Sequence, residues 1–495
     1  MTQLTSVTVR GMRWTYLAGV AAAAVQIPYA AAMARLLTPE DFGLMALAYL
    51  VPRFAHHFAQ GGLSSAVVQR PSLTGRDVRV IFALALTVGS CCSAAVWLIA
   101  PYGTELVRGP SELTGMIRAL ALGLLITALG ATSTGLLSRG MRYRAVALTD
   151  FFSFVVGYCG VGITSALLGA GVWSLVYGTL CWNLMLALLS YAMVRHSLRP
   201  RFDVSAMREV MRYGGKVSVN GFLEYLTADL PKLAIGRYVG VAAAGLYDRA
   251  ALLASFPLQQ IQQAASKVLL PALSRIQHET GRLAASYADA MAVTTLVLFS
   301  LWAVIGASSE QLVDLLLGGQ WRGSAELVPI LGLISVLGLV AQFSGTLVEA
   351  MGAVGGKVVI HLAQLLVLVA GTFVALFLRG GVHGLMTAVL VSQLVKQALF
   401  YVWLDRLFPA VRRPVAQGYA QAAAFSGLIW AVLWSVRRVL EGSCPGPVIL
   451  AAQLAAAAVL ALCCVRYGTA LHGVRVTRER GLLPTALTRP SAHTQ

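Results

Sequence analysis

The chain has 495 residues, of which 58% are hydrophobic and 12% charged, and its 38 Lys+Arg against 20 Asp+Glu leave a formal net charge of +18. Soluble proteins carry roughly 25% charged residues, so this composition excludes a soluble enzyme, a nucleic-acid binder and a secreted disulfide scaffold. It calls for a lipid bilayer as solvent.

A transmembrane helix needs about 20 mostly apolar residues. In chain order the windows that qualify are 14–34, 42–60, 80–100, 117–137, 150–168, 172–194, 216–238, 242–265, 290–306, 327–348, 358–378, 383–404, 416–436 and 447–466. Several hold a proline or a charge, which sets the number of spans at twelve to fourteen. With the N-terminus in the cytoplasm, most basic residues fall in cytoplasmic segments, among them Arg139, Arg142, Arg144 and the group from Arg195 to Lys216. That alternation satisfies the positive-inside rule and places both termini in the cytoplasm. The first apolar segment is too long for a cleaved signal peptide and ends in a charged turn. Neither of the longest polar stretches, near 195–215 and after 466, is long enough for a soluble domain.

Ionisable residues inside spans are costly and therefore point to function. The second span carries Arg53 after Pro52, with His56 and His57 close by. Arg53 needs a partner, and an anionic substrate group would supply one. The seventh span holds Glu224, Asp229, Lys232 and Arg237 around Pro231. Asp229 and Lys232 share a helix face, which leaves two readings open. One is an ion pair that neutralises itself for insertion. The other is a cavity-facing cluster for a charged substrate or a coupling ion, with Pro231 breaking the helix so that its backbone lines the cavity. The eighth span begins with Asp248 and Arg249, neighbours that can pair locally, and ends with Gln259, Gln260, Gln262 and Gln263. Those amides suit sugar hydroxyls, or mark the cytoplasmic end of the helix.

Other chemistry is missing. Gly352–Lys357 reads GAVGGK, but Met351 and Val358 stand where a phosphate loop needs Gly and Ser/Thr. The seven cysteines form no CxxC pair, and no spacing supports a nucleophile with its base or a metal site. No cofactor and no metal are expected.

The sequence also repeats. Arg10, Arg35, Gly43, Leu44 and Ala48 recur as Arg212, Arg237, Gly245, Leu246 and Ala250, and Gly171-Val172 with Leu175 recurs as Gly381-Val382 with Leu385. Six spans return the chain to its starting side, so the repeat implies two six-helix halves of like orientation, a transporter architecture.

The stretch Ala34-Arg35-Leu36-Leu37-Thr38-Pro39-Glu40-Asp41-Phe42-Gly43-Leu44 resembles the signature after the first span of the polysaccharide transport family, the oligosaccharide flippases of the multidrug/oligosaccharidyl-lipid/polysaccharide exporter superfamily. Gly11–Trp14, Gly62–Arg70, Asp229 with Ile235-Gly236-Arg237, Gly245–Ala250, Pro271–Arg275 and Gly319–Trp321 continue the likeness in order. This chain has Asp248 where the family tends to have Ser.

The resemblance implies a two-lobed bundle with a central, cation-lined cavity that moves an undecaprenyl-pyrophosphate-linked oligosaccharide outward by alternating access. The expected fold is thus an all-α polytopic membrane protein of about 14 helices: a first lobe over 1–200, a second over 201–412, two further helices over 413–470 and a basic tail over 471–495. The expected substrate-binding residues are Arg53, Lys232, Arg237, Arg249, Gln259 and Gln263, and the expected ion-coupling residues Glu224 and Asp229. The expected partners are the lipid-linked substrate, membrane lipids, a polysaccharide polymerase and glycosyltransferases, with no nucleic acid. The expected location is the bacterial cytoplasmic membrane. The alternatives are a drug or lipid II exporter of the same superfamily and a membrane glycosyltransferase acting on polyprenyl carriers.

Overall fold

The computed structural model describes residues 23–60, 73–203, 222–275, 279–351, 354–468 and 471–479. The motifs at 11–14 and 62–70, the repeat landmarks Arg10 and Arg212, and the tail from 480 lie outside these residues. The described residues are helical with no strand. Ten of the described helices are long and apolar enough to cross a membrane, and the chain is an all-α multi-pass membrane protein. The windows at 14–34, 42–60, 216–238 and 242–265 are helical where described, yet they are not among the ten. Three of these four hold the expected site residues.

By its contacts the chain divides into two compact units, Met1–Asp248 and Arg249–Gln495. The division falls within one long helix and groups residues 201–248 with the first unit, whereas the sequence repeat starts its second half at 201.

The first unit opens with α1 (residues 23–36), α2 (Pro39–Ala48) and α3 (Leu50–Gln60). The Thr-Pro-Glu-Asp portion of the signature is a helix start. Thr38 is the N-cap: its hydroxyl accepts from the Asp41 backbone N–H at 3.2 Å, while the Asp41 carboxylate accepts from the Thr38 N–H at 2.8 Å. Pro39 sits in the first turn, where its missing N–H costs nothing. Tyr49 separates α2 from α3, one turn before Pro52, because the proline ring collides with the carbonyl four residues back and cannot donate to it.

Three long helices follow: α4 (Gly75–Val107), α5 (Glu112–Arg139) and α6, which runs as an α-helix over Tyr143–Phe154, a π-helix over Val155–Gly162 and an α-turn over Ile163–Leu167. After them come α7 (Trp173–Val194) and α8 (residues 222–238). The core of this unit is built on Met33, Leu47, Ile81, Met116, Leu137 and Ile235, each nearly or fully buried. Its outer surface is apolar, as lipid requires, with Leu98 65% exposed.

The expected break at Pro231 is not found: α8 continues through it. A proline removes one donor, and neighbouring segments make up the loss within a membrane bundle. Pro28 likewise lies within α1.

The helix α9 (Val241–Arg275) carries the chain across the division. The second unit continues with α10 (Thr280–Ala307), α11 (Ser309–Leu316), α12 (Val328–Ala350), α13 (Val354–Phe377), α14 (Gly381–Leu407), α15 (Arg412–Leu440), α16 (Gly446–Tyr467) and α17 (His472–Glu479). Its core packs Leu258, Leu283, Met291, Val340 and Phe400 together. Buried polar groups pair inside it, as Tyr287 with Ser344 at 2.8 Å. Trp321 of the resemblance set is fully buried, and its role is packing.

Candidate functional site

The first unit carries four charges in a row of alternating sign. Arg53, on α3 just after the proline break, reaches Asp229 on α8: Nη1 lies 3.4 Å from Oδ1. That same oxygen is 4.0 Å from Lys232 Nζ, one turn further along α8. Lys232 is held more closely by Asp248, at 2.7 Å. Tyr225 of α8 donates its hydroxyl to the Leu50 carbonyl at 2.7 Å and ties α8 to the start of α3.

Exposure separates the members. The side chains of Asp229, Lys232 and Asp248 are 5%, 17% and 19% exposed, whereas that of Arg53 is 45% exposed. Asp229 Oδ2 is buried and makes no hydrogen bond. A buried carboxylate with one oxygen unserved is costly, so Asp229 depends on the two cations at its other oxygen. Lys232 is already committed to Asp248, which leaves Arg53 as the movable partner. Because a guanidinium binds carboxylate and phosphate with the same fork of donors, Arg53 can exchange one for the other.

The remaining expected residues lie elsewhere on α8 and on α9. Glu224 is exposed on α8. Arg237, at the far end of α8, donates to the Glu105 and Leu106 carbonyls at the C-terminal end of α4 and lies over the Tyr238 ring. A cation there serves the last carbonyls of α4, of which that of Glu105 also accepts from the Arg108 N–H, and meets the negative end of the helix dipole. Arg249 is half-buried at the head of the second unit, and Gln259 is exposed on α9. Gln263 is helical, with its side chain outside the described residues.

A second feature was not anticipated. A cavity of about 340 Å³ lies within the first unit, walled by α3, α5, α6 and α7. Tyr49 and His56 border it on one side, Trp182 and Asn183 on another, and Asp150 is the single carboxylate among its described lining residues. Two of its walls approach closely: Gly130 of α5 faces the backbone of Ala187 on α7, where a Cβ would come within 2.9 Å. The apolar window that opens at residue 150 placed Asp150 at a membrane boundary. The helix begins at Tyr143, so Asp150 lies about two turns inside it. Only the helix start could have revealed this, because polar residues before the window mask it. Among the described residues no group of His, Cys, Asp and Glu could hold a metal ion.

The family described as "Polysaccharide biosynthesis protein" matches residues 32–326. The succinoglycan biosynthesis transport protein ExoT of Rhizobium meliloti is 26% identical over 83% of this chain and 82% of its own. The lipopolysaccharide biosynthesis protein WzxC of Escherichia coli is 21% identical over 67% of each chain, and the teichuronic acid biosynthesis protein TuaB of Bacillus subtilis is 21% identical over 71% of this chain and 73% of its own. Among solved structures, the lipid II flippase MurJ in an inward closed conformation superposes with a TM-score of 0.72 at 12% identity, covering 97% of this chain and all of that one. An inward-facing multidrug resistance MATE family transporter of the MOP superfamily gives 0.60 at 17% identity, over 77% of this chain and 94% of that one. These two share the fold.

Proposed function

Since the chain belongs to the polysaccharide biosynthesis protein family, we propose that it flips a lipid-linked oligosaccharide, carried on polyprenyl pyrophosphate, across the bacterial cytoplasmic membrane by alternating access. The observation that carries this reading is the half-exposed Arg53 held 3.4 Å from a buried Asp229. In the empty protein Arg53 neutralises Asp229; in the loaded protein it turns to the pyrophosphate, and Asp229 takes up the coupling ion at its unserved oxygen. Glu224 is exposed whereas the Asp229 side chain is buried, so Asp229 is the stronger of the two coupling residues. Lys232 positions Asp229 and Asp248 rather than touching substrate. Arg249, Gln259 and Gln263 belong to the substrate path, Arg237 to a helix end.

Both termini lie in the cytoplasm, and the two sequence halves, 1–200 and 201–412, are the moving parts. The protein performs transport without bond chemistry, and works beside glycosyltransferases that build the repeat unit and a polymerase that consumes it.

The decisive experiment is a deletion strain, examined for the leaflet in which lipid-linked oligosaccharide collects. Accumulation on the cytoplasmic side, relieved by the wild-type chain and not by Asp229→Asn at equal membrane abundance, is the expected result. Accumulation of lipid II or loss of drug efflux instead would assign the chain to the rival exporter activities that the same fold houses. Unchanged leaflet distribution would remove the proposal.

A further inference from the structure

The cavity within the first unit has a chemistry of its own. Its lining residues on α5 run from Leu120 to Ser138, roughly 27 Å at the helical rise. The threonines of its lining share one polarity. Thr127 of α5 donates its hydroxyl to the Gly123 carbonyl at 2.5 Å, and Thr134 to the Ala131 carbonyl at 3.0 Å. Thr149 of α6 donates to the Val146 carbonyl and Thr179 of α7 to the Leu175 carbonyl, both at 2.8 Å. Each threonine has spent its only donor on its own helix and keeps lone pairs to offer, one of which, on Thr179, accepts from the Tyr158 hydroxyl at 3.4 Å. Asp150 adds a carboxylate, and the described lining residues include no lysine or arginine. Ser190 of α7 lines the same cavity with its Oγ fully buried and without a hydrogen-bond partner, a group awaiting a ligand.

An acceptor-rich wall in a low-dielectric site takes ligands rich in donors. Sugar hydroxyls and ammonium groups qualify, and the aromatic residues Tyr49 and Trp182 stand in the same lining. A phosphate, or the carboxylate that a uronate adds to its hydroxyls, brings only further acceptors and a negative charge. At an effective dielectric near 20, a like charge about 6 Å from a carboxylate is disfavoured on the order of 100-fold.

We infer that this cavity is a glycan subsite that admits neutral or amino sugars, and that Asp150 is the residue that rejects acidic ones. The inference rests on the flippase reading for its biological substrate, yet its chemistry is independent of that reading. It divides the labour between two places in one unit: Arg53 meets the anionic carrier group, while the threonine-lined cavity meets the sugars.

The test uses the full chain in detergent, with its seven cysteines replaced and Thr134→Cys introduced. Alkylation by a maleimide is timed in the presence of cellotetraose, a chitosan tetramer or tetragalacturonate at millimolar concentration. The neutral and amino probes should slow alkylation several-fold at position 134 and not in a Leu98→Cys control, which lies on the lipid-exposed face of α4. Tetragalacturonate should give no protection while Asp150 is present and should protect once Asp150→Asn is added. If Thr134→Cys fails to fold, Ser138→Cys lines the same wall, and a rise in unfolding temperature of the wild-type chain with the neutral probe reports binding without any label. No protection by any probe, or equal protection by neutral and acidic probes in the presence of Asp150, overturns the inference. The flippase reading is judged separately, by where lipid-linked oligosaccharide collects in the deletion strain, and can stand or fall without it.

Discussion

Gly43 and Gly245, the equivalent glycines of the two sequence repeats, lie against each other. A Cβ on Gly245 would overlap the Pro39 carbonyl oxygen and come within 2.9 Å of the Gly43 nitrogen; one on Gly43 would overlap the Val241 carbonyl. The start of α2 and the start of α9 therefore cross backbone to backbone, and each copy of the repeated glycine makes room for the other.

Replacing either glycine with alanine should unfold this crossing. Overpacking typically costs about 1–3 kcal/mol, and a backbone carbonyl cannot rotate aside as a side chain can, so the loss belongs at the upper end. Thermal unfolding of the detergent-solubilised protein measures it. Gly75→Ala, at an open helix start with no atom within 4 Å of the added carbon, should be neutral or slightly stabilising. Equal effects at 43, 245 and 75 would contradict the crossing.

The charge row separates stability from transport. Lys232→Met leaves Asp229 and Asp248 together without their shared cation, and breaking a buried pair in this way costs about 3–5 kcal/mol. Membrane abundance should collapse. Arg53 is nearly half exposed, and Lys232 stays 4.0 Å from Asp229 when Arg53 is removed, so its loss should cost less stability than the loss of Lys232. Arg53→Met should therefore keep more of the wild-type abundance and unfolding temperature than Lys232→Met does, while export is lost. If both variants lose stability alike, Arg53 is a structural member of the row.

A disulfide can test which parts move. A Cβ on Gly236 would lie 3.2 Å from the Leu47 Cγ, a spacing that suits a cross-link between cysteines at the two positions. If the sequence halves separate during transport, oxidised Leu47→Cys/Gly236→Cys protein should be inactive and recover on reduction. Full activity of the cross-linked protein would mean that residues 1–248 travel together, as the contact division groups them.

One histidine predicts a pH effect. His196 follows α7 and is half-buried, between the Phe82 and Tyr191 rings. It pairs with the Ser133 hydroxyl at 3.0 Å and the Ser197 carbonyl at 3.1 Å. Desolvation lowers its pKa from the ordinary 6.5, against an opposing backbone hydrogen bond. The unfolded chain thus binds the proton more readily than the folded one. The associated stability is present above pH 6.5 and is lost as pH falls from there through the lower folded value. The unfolding temperature should drop on acidification below 6.5, and His196→Gln should flatten that slope. An unchanged slope in the variant would place the pH sensitivity elsewhere.

The ten apolar helices were legible because hydropathy is a property of local sequence, and lipid imposes one length on every span. The capped start of α2 was legible too, because Thr38, Pro39 and Asp41 act within one turn. Pro231 was misleading. A helix inside a bundle can lose one donor and continue, and whether it does depends on neighbours distant in the chain.

What the sequence by itself determined is the solvent, the repeat, the family likeness and which residues are too polar for their place. Which of those residues meet was decided only by the tertiary structure. Arg53 and Asp229 are 176 positions apart, Lys232 takes Asp248 at 2.7 Å, and Arg237 is spent on the end of α4. The cavity around Asp150 is likewise a product of four helices, since each wall threonine looks ordinary in its own segment. Charge pairs and cavities arise where separate helices approach, and their energies depend on distance and burial, which no single stretch of residues contains.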